Sequence, residues 1–200
     1  LLRSWRGEAS AIPGFAEDYA FLIQGLLDLY EAVWEANWLE WALELQERQD
    51  QLFRDEASGG YFGSAAGDPL ISVRMKEDYD GAEPSANSIS ALNLLRFGRM
   101  LHDESLEARA RAILGSSREA LTRAPTAVPQ MLVALDLSLS PPAQAVVAGA
   151  LESADVREWN TKLHGEFSPR RVLLLTDGNS FLLERVPELA SMKPLQGRAA

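Results

Sequence analysis

The strongest constraint on this chain is a pairing of helix types, one apolar almost all round and the next amphipathic. In residues 15–34, FAEDYAFLIQGLLDLYEAVW, the polar groups Glu17, Gln24, Asp28 and Glu31, with Glu35 just beyond, fall on one narrow stripe. A helix with so little polar surface is expected to be buried on most sides. Residues 37–53 instead set Trp38, Trp41, Ala42, Leu45, Leu52 and Phe53 against a polar face of Glu40, Glu44, Glu47, Arg48 and Gln51. That pattern predicts a surface helix laid on its buried neighbour, with Asn37 and Glu40 at capping-box spacing. Trp34, Trp38 and Trp41 are spaced as core residues.

The alternation returns downstream. Residues 85–101 are again mostly apolar or small, with Pro84 suited to a first helical turn. Asp103 can cap an amphipathic helix reaching residue 123, which Pro125 stops, and a short helix over 128–137 follows. YAFLIQGLLDLY from Tyr19 can be laid over NSISALNLLRFG from Asn87 as a weak internal repeat. Buried and surface helices in alternation describe stacked helical hairpins, as in solenoids and toroids. Between the two pairs, residues 56–84 are rich in glycine and lose the helical period, which predicts a small hairpin or an extended excursion. After SLSPP the pattern changes again. The apolar run 143–149, a helical stretch and the run RRVLLLTDG read as a βαβ unit with parallel strands, followed by a further helix. The expected fold is therefore mainly α over 1–139, with a small α/β tail over 140–200.

A net charge of −10 and a pI near 4.7 oppose phosphate backbones and anionic membranes, so neither nucleic acid nor membrane is an expected partner. No uninterrupted apolar run reaches the ~18 residues of a membrane span, and no signal peptide is visible. The absence of cysteine removes disulfide and thiolate chemistry and fits a reducing, cytoplasmic setting. A start at Leu1 in place of Met suggests that sequence precedes it.

LLRSWR, IPGFAEDYAFLIQGLLDLYEA, GGYF and above all DGAEPSANS resemble the C-terminal region of the thioredoxin-like proteins typified by spermatogenesis-associated protein 20. The resemblance runs from Leu1 to about Asp177. It implies a larger parent with an N-terminal thioredoxin-like domain, an (α/α)6 toroid similar to the N-acylglucosamine 2-epimerases, and a small α/β tail. This chain would hold the closing hairpins of the toroid and part of the tail, and the rest of the parent would be its partner. The resemblance supplies no reaction.

In such a toroid the loops entering the inner helices form the mouth of a central cavity. GFAEDY and DGAEPSANS both enter predicted inner helices, and would project Glu17, Asp18, Tyr19, Asp80, Glu83 and Asn87 toward one opening. Carboxylates and amides there would bind sugar hydroxyls, with Tyr19, Trp5 or Tyr61 beneath the rings. Glu17, Asp18, Tyr19 and Asn87 are the substrate-binding candidates, and Asp80 and Glu83 the catalytic ones. Carboxylates so gathered should repel one another and be retained for function. The competing reading is that they cap helices, which is favourable by ~0.3–1 kcal/mol each.

A glycosidase would need two carboxyls ~5–5.5 Å or ~6.5–9.5 Å apart. An epimerase would need histidines, but His102 falls at a turn and His164 in the βαβ crossover, where both read as structural. No metal site or cofactor is indicated, and Gly149 and the TDG after the second strand read as turns. The alternative to a carbohydrate pocket is a non-catalytic scaffold serving the thioredoxin-like domain.

Overall fold

The computed structural model describes residues 1–9, 12–67 and 71–200. It is mainly helical, with two antiparallel helix pairs, α1 (Ala16–Val33) with α2 (Ala36–Phe53) and α3 (Ala86–Leu101) with α4 (Glu104–Ser116). A short α5 (Arg118–Arg123) and a 3-10 turn lead to α6 (Pro129–Leu139), which returns against α3. The tail comprises β1 (Ala143–Ala148), α7 (Ala154–His164), β2 (Arg171–Thr176) and α8 (Ser180–Arg185). β1 and β2 are adjacent and parallel, in register from Ala143 opposite Arg171 to Ala148 opposite Thr176. The expected βαβ pairing is thus present. Among the described residues, no helix is long and apolar enough to cross a membrane.

The core is organised around α3. Every residue of that helix except Leu92 is buried. Because α3 has almost no wet face, its polar side chains must find protein partners. Ser90 Oγ accepts from Gln49 of α2, and Asn93 donates to the Ala20 carbonyl of α1 at 2.9 Å. Arg96 pairs with Asp28 at 2.7 Å and Glu31 at 2.9 Å. Arg99 donates to the carbonyls of Leu137, Ser140 and Arg170, closing the C-terminal end of α6. At Gly98, a Cβ would come within 2.5 Å of the Glu107 side chain, so glycine permits the close approach of α3 and α4.

The tail rests on this bundle through the edge of β2. The Leu173 N–H donates to Glu31 and the Leu175 N–H to the Tyr30 hydroxyl, covering donors that an edge strand would otherwise leave open. Burial is the main cause that raises the Tyr30 phenol above its ordinary range.

Several local expectations need correction. α1 is buried along Ala16, Tyr19, Ile23, Leu27 and Tyr30, but Gly25, Leu29 and Val33 face outward, so it is less enclosed than α3. Trp41 is 44% exposed and not a core residue. α2 begins at Ala36 with Glu35 at the cap position, so Asn37 lies inside the helix and caps nothing. Ser85, not Pro84, opens α3, accepting from Ser88 N at 3.2 Å, because a hydroxyl at that position can satisfy a free N–H. The amphipathic stretch after Asp103 breaks at Ser117 into two helices. The described part of 56–84 is an extended excursion without a strand ladder, and residues 68–70 lie outside the described residues.

Candidate functional site

The extended excursion is held tightly despite lacking regular structure. Arg74 donates to the Ser64 carbonyl at 2.9 Å and the Leu52 carbonyl at 3.1 Å, with its guanidinium 4.1 Å over the Phe62 ring. Lys76 bridges Asp55 at 2.6 Å and Ser58 at 2.8 Å. The bonds from Lys76 and Ser58 hold the Asp55 carboxyl well below the usual carboxylate range. Gly63 N–H donates to Met75, and Ala16 N–H donates to Gly63, which ties the excursion to the start of α1.

Tying the excursion down leaves a cleft of about 360 Å³ between the N-terminal ends of α1 and α3. Glu17 and Phe15 come from the start of α1, Asn87 from the start of α3, and Ser64, Met75 and Glu77 from the excursion, with Arg3 opposite. The two sequence motifs therefore do reach one opening, through Glu17 and Asn87. Glu17 is half-buried and accepts from Arg3 at 2.7 Å. Asn87 has its amide occupied, because Oδ1 accepts from Tyr61 N at 2.8 Å and Nδ2 donates to Tyr61 O at 3.0 Å. It shapes the wall by fixing the backbone at Tyr61.

The other expected residues lie elsewhere. Asp80 is 5% exposed and does not line the cleft. Its Oδ1 accepts from Ser85 N at 2.8 Å, and its Oδ2 from Gln130 N at 2.9 Å and Met131 N at 3.3 Å. One carboxylate thus joins the start of α3 to the start of α6, matching the local positive end of each helix. The charge is met by N–H donors, so the expected crowding of Asp80 with other carboxylates does not arise. Glu83 is exposed outside the cleft, and its carbonyl accepts from Gly81 N at 3.0 Å. Asp18 accepts from Phe15 N at 2.8 Å, a capping bond at the start of α1. Tyr19 is 2% exposed and packs edge-on against Phe53, with ring centroids 5.5 Å apart. Trp5 is outside the cleft lining, and buried Tyr61 contributes to the cleft wall. His102 terminates α3 in a left-handed conformation, and His164 lies 3.0 Å from the Glu31 carbonyl.

The sequence reading missed a buried polar network between α2 and α4. The Tyr61 hydroxyl donates to Asp50 at 2.7 Å and accepts from Gln46 at 3.0 Å and Arg109 at 2.9 Å. Arg109 also pairs with Asp50. Burial, and then the neighbouring Asp50, raise the Tyr61 phenol above its usual range. Burial works against the Arg109 charge, but Tyr61 and Asp50 more than offset it and the net direction is upward. The polar face read for α2 from sequence includes neither Gln46 nor Asp50, and only Tyr61 of the excursion and Arg109 of α4 show what engages them. Among the described residues, no group of three or more His, Asp or Glu side chains is placed to hold a metal ion.

With this geometry in place, comparison with known proteins shows the relationship. The chain is similar to a segment of spermatogenesis-associated protein 20. It is 43% identical to the human protein over 192 residues, covering 93% of this chain and 24% of that protein. The rat protein matches at the same identity over 190 residues. An uncharacterized protein of Caenorhabditis elegans, B0495.5, is 40% identical over 156 residues and 21% covered. The chain therefore spans about a quarter of the length of the curated relatives it matches. No family model matches the chain.

Proposed function

We propose that this chain supplies the closing hairpins of an (α/α)6 toroid in a larger thioredoxin-like protein, and that its cleft binds carbohydrate. The supporting observation is that the starts of α1 and α3 meet at one cleft carrying two carboxylates and an arginine. Its volume of about 360 Å³ suits a small ligand. Glu17 and Glu77 accept hydrogen bonds from hydroxyls, Arg3 donates, and Phe15, Val73 and Met75 give apolar surface to the C–H faces of a ring. Asp80 is occupied as a helix cap and Glu83 stands outside the cleft, so the role proposed here is binding, not proton transfer by that pair. The outward face of α1, with Leu29 and Val33 each 38% exposed, is where a preceding hairpin of the toroid would pack.

A thermal-shift screen of the full-length protein against mono- and disaccharides tests this. A ligand at a hundredfold excess over its Kd adds about 2.7 kcal/mol of apparent stability. One subset of sugars is expected to raise the melting temperature, and Glu17→Gln should cancel the rise. If no sugar raises it, while removing this segment destabilises the thioredoxin-like domain, the chain is a scaffold instead.

A further inference from the structure

The two edges of the β1–β2 pair are finished differently. On the β2 side, Glu31 and the Tyr30 hydroxyl take the outward N–H groups of Leu173 and Leu175. Along β1 the backbone groups alternate between its two edges. Gly149 N donates to Thr176 O at 3.1 Å, so the odd-numbered positions of β1 turn toward β2. Gln144, Val146 and Ala148 therefore turn to the outer edge. Of these, Ala148 is paired there: its N–H donates to Ala200 O at 2.8 Å, and its carbonyl accepts from Ala200 N at 3.3 Å. The backbone N–H and C=O groups of Gln144 and Val146 meet no partner on that edge among the described residues. The strand, AQAVVA, carries no charge and no proline, the features that commonly guard an open edge. Burial divides in the same way, with Ala143–Val146 half-buried and Val147 and Ala148 buried.

We propose that the polypeptide continuing from Ala200 in the larger protein docks along this edge as a third strand, antiparallel to β1. This rests on the chain being part of a larger protein, and not on the carbohydrate cleft. A residue pair that exchanges both of its backbone bonds is the antiparallel pattern, so Ala200 opposite Ala148 fixes direction and register together. The second residue beyond Ala200 then falls opposite Val146 and the fourth opposite Gln144, each supplying the missing donor and acceptor. Residues of α7 already hold the entry to this edge. Ala199 N donates to Asp155, and Trp159 Nε1 donates to Ala199 O at 3.3 Å. Trp159 is nevertheless 39% exposed. A Cβ at Gly149 would meet Val156 of α7 at 2.7 Å and Ala199 Cβ at 3.0 Å, so Ala199 points to the face that α7 covers. The first and third residues beyond Ala200 fall on that same face, beside Trp159, and are expected to be apolar.

Hydrogen exchange of the full-length protein, read residue by residue by mass spectrometry, tests the third strand. The Val146 amide is expected to exchange as slowly as that of Ala148, and far more slowly than that of Phe167, which is 95% exposed. A stop codon after Ala200 should release the Val146 amide while Leu174, within the pair, stays slow. A cysteine pair in the full-length chain gives a second reading should the truncated protein fail to fold. Val146→Cys, with a cysteine at the second residue beyond Ala200, is expected to form a disulfide, because directly opposed Cα atoms ~5.5 Å apart lie within its range. Exchange of Val146 at the Phe167 rate in the intact protein, or absence of that disulfide, overturns the proposal. So does protection of Val146 that survives truncation, since another segment would then cover the edge. Protection lost on dilution, as a dimer dissociates, would put a second copy there and overturns it equally.

Discussion

Replacing Asp80 removes a carboxylate that holds two helix starts at once. Its oxygens divide the work, Oδ1 taking Ser85 N and Oδ2 taking Gln130 N and Met131 N. In Asp80→Asn the amide can keep only one set, because its NH2 must face N–H donors on the other side. One lost cap of about 1 kcal/mol, with a buried N–H left unmet at about 1–3 kcal/mol, gives a loss of about 2–4 kcal/mol. In Asp80→Ala both sets are lost, and the cost rises to about 4–8 kcal/mol. For a domain of this size each kcal/mol moves the melting temperature by about 2–4 °C, so Asp80→Asn should melt about 4–16 °C lower. Urea denaturation followed by circular dichroism gives the free energies directly. An unchanged or raised stability in Asp80→Asn would refute the cap, and would return Asp80 to the roles of binding or proton transfer.

Three further perturbations follow from the same contacts. Gly60→Ala should cost about 2 kcal/mol by urea titration, because φ is +76° there and the added Cβ would come within 2.7 Å of Asn87 Oδ1. Gly25→Ala, on the open face of α1 with nothing within 4 Å of the new Cβ, should instead add about 0.5–1 kcal/mol. Hydrogen bonds from Ser153 and the Ala199 N–H lower the Asp155 carboxyl to about 2, so its contribution to stability is complete above its unfolded pKa and fades as pH falls toward 2. The difference in urea midpoint between wild type and Asp155→Asn should therefore hold from neutral pH to about 5 and shrink below about 4.

The helical pattern of the chain was largely legible because burial follows the spacing of apolar residues. Residues 85–101 read as an inner helix and are enclosed almost completely. The parallel pair over 143–148 and 171–176 was equally visible, as two short apolar runs with a helix-length crossover. Residues 15–34 read as more buried than they are, since apolar content cannot tell a neighbour within this chain from one outside it. The site was legible only in part. GFAEDY and DGAEPSANS pointed to one opening, and Glu17 and Asn87 meet there. Proximity to that motif said nothing about Asp80, which points instead to the start of α6, fifty residues downstream at Gln130. The network of Gln46, Asp50, Tyr61 and Arg109 was invisible because its members come from three separate segments.

The most direct test of the account compares sugar affinity, by isothermal titration, in Glu17→Gln and Asp80→Asn of the full-length protein. Glu17 contributes a half-exposed ion pair worth little to stability, while Asp80 is buried beneath two helix ends. The account expects Glu17→Gln to lose sugar affinity at an unchanged melting temperature, and Asp80→Asn to bind normally at a lowered one. Full affinity in Glu17→Gln, with affinity lost in a thermally unaltered Asp80→Asn, would contradict it.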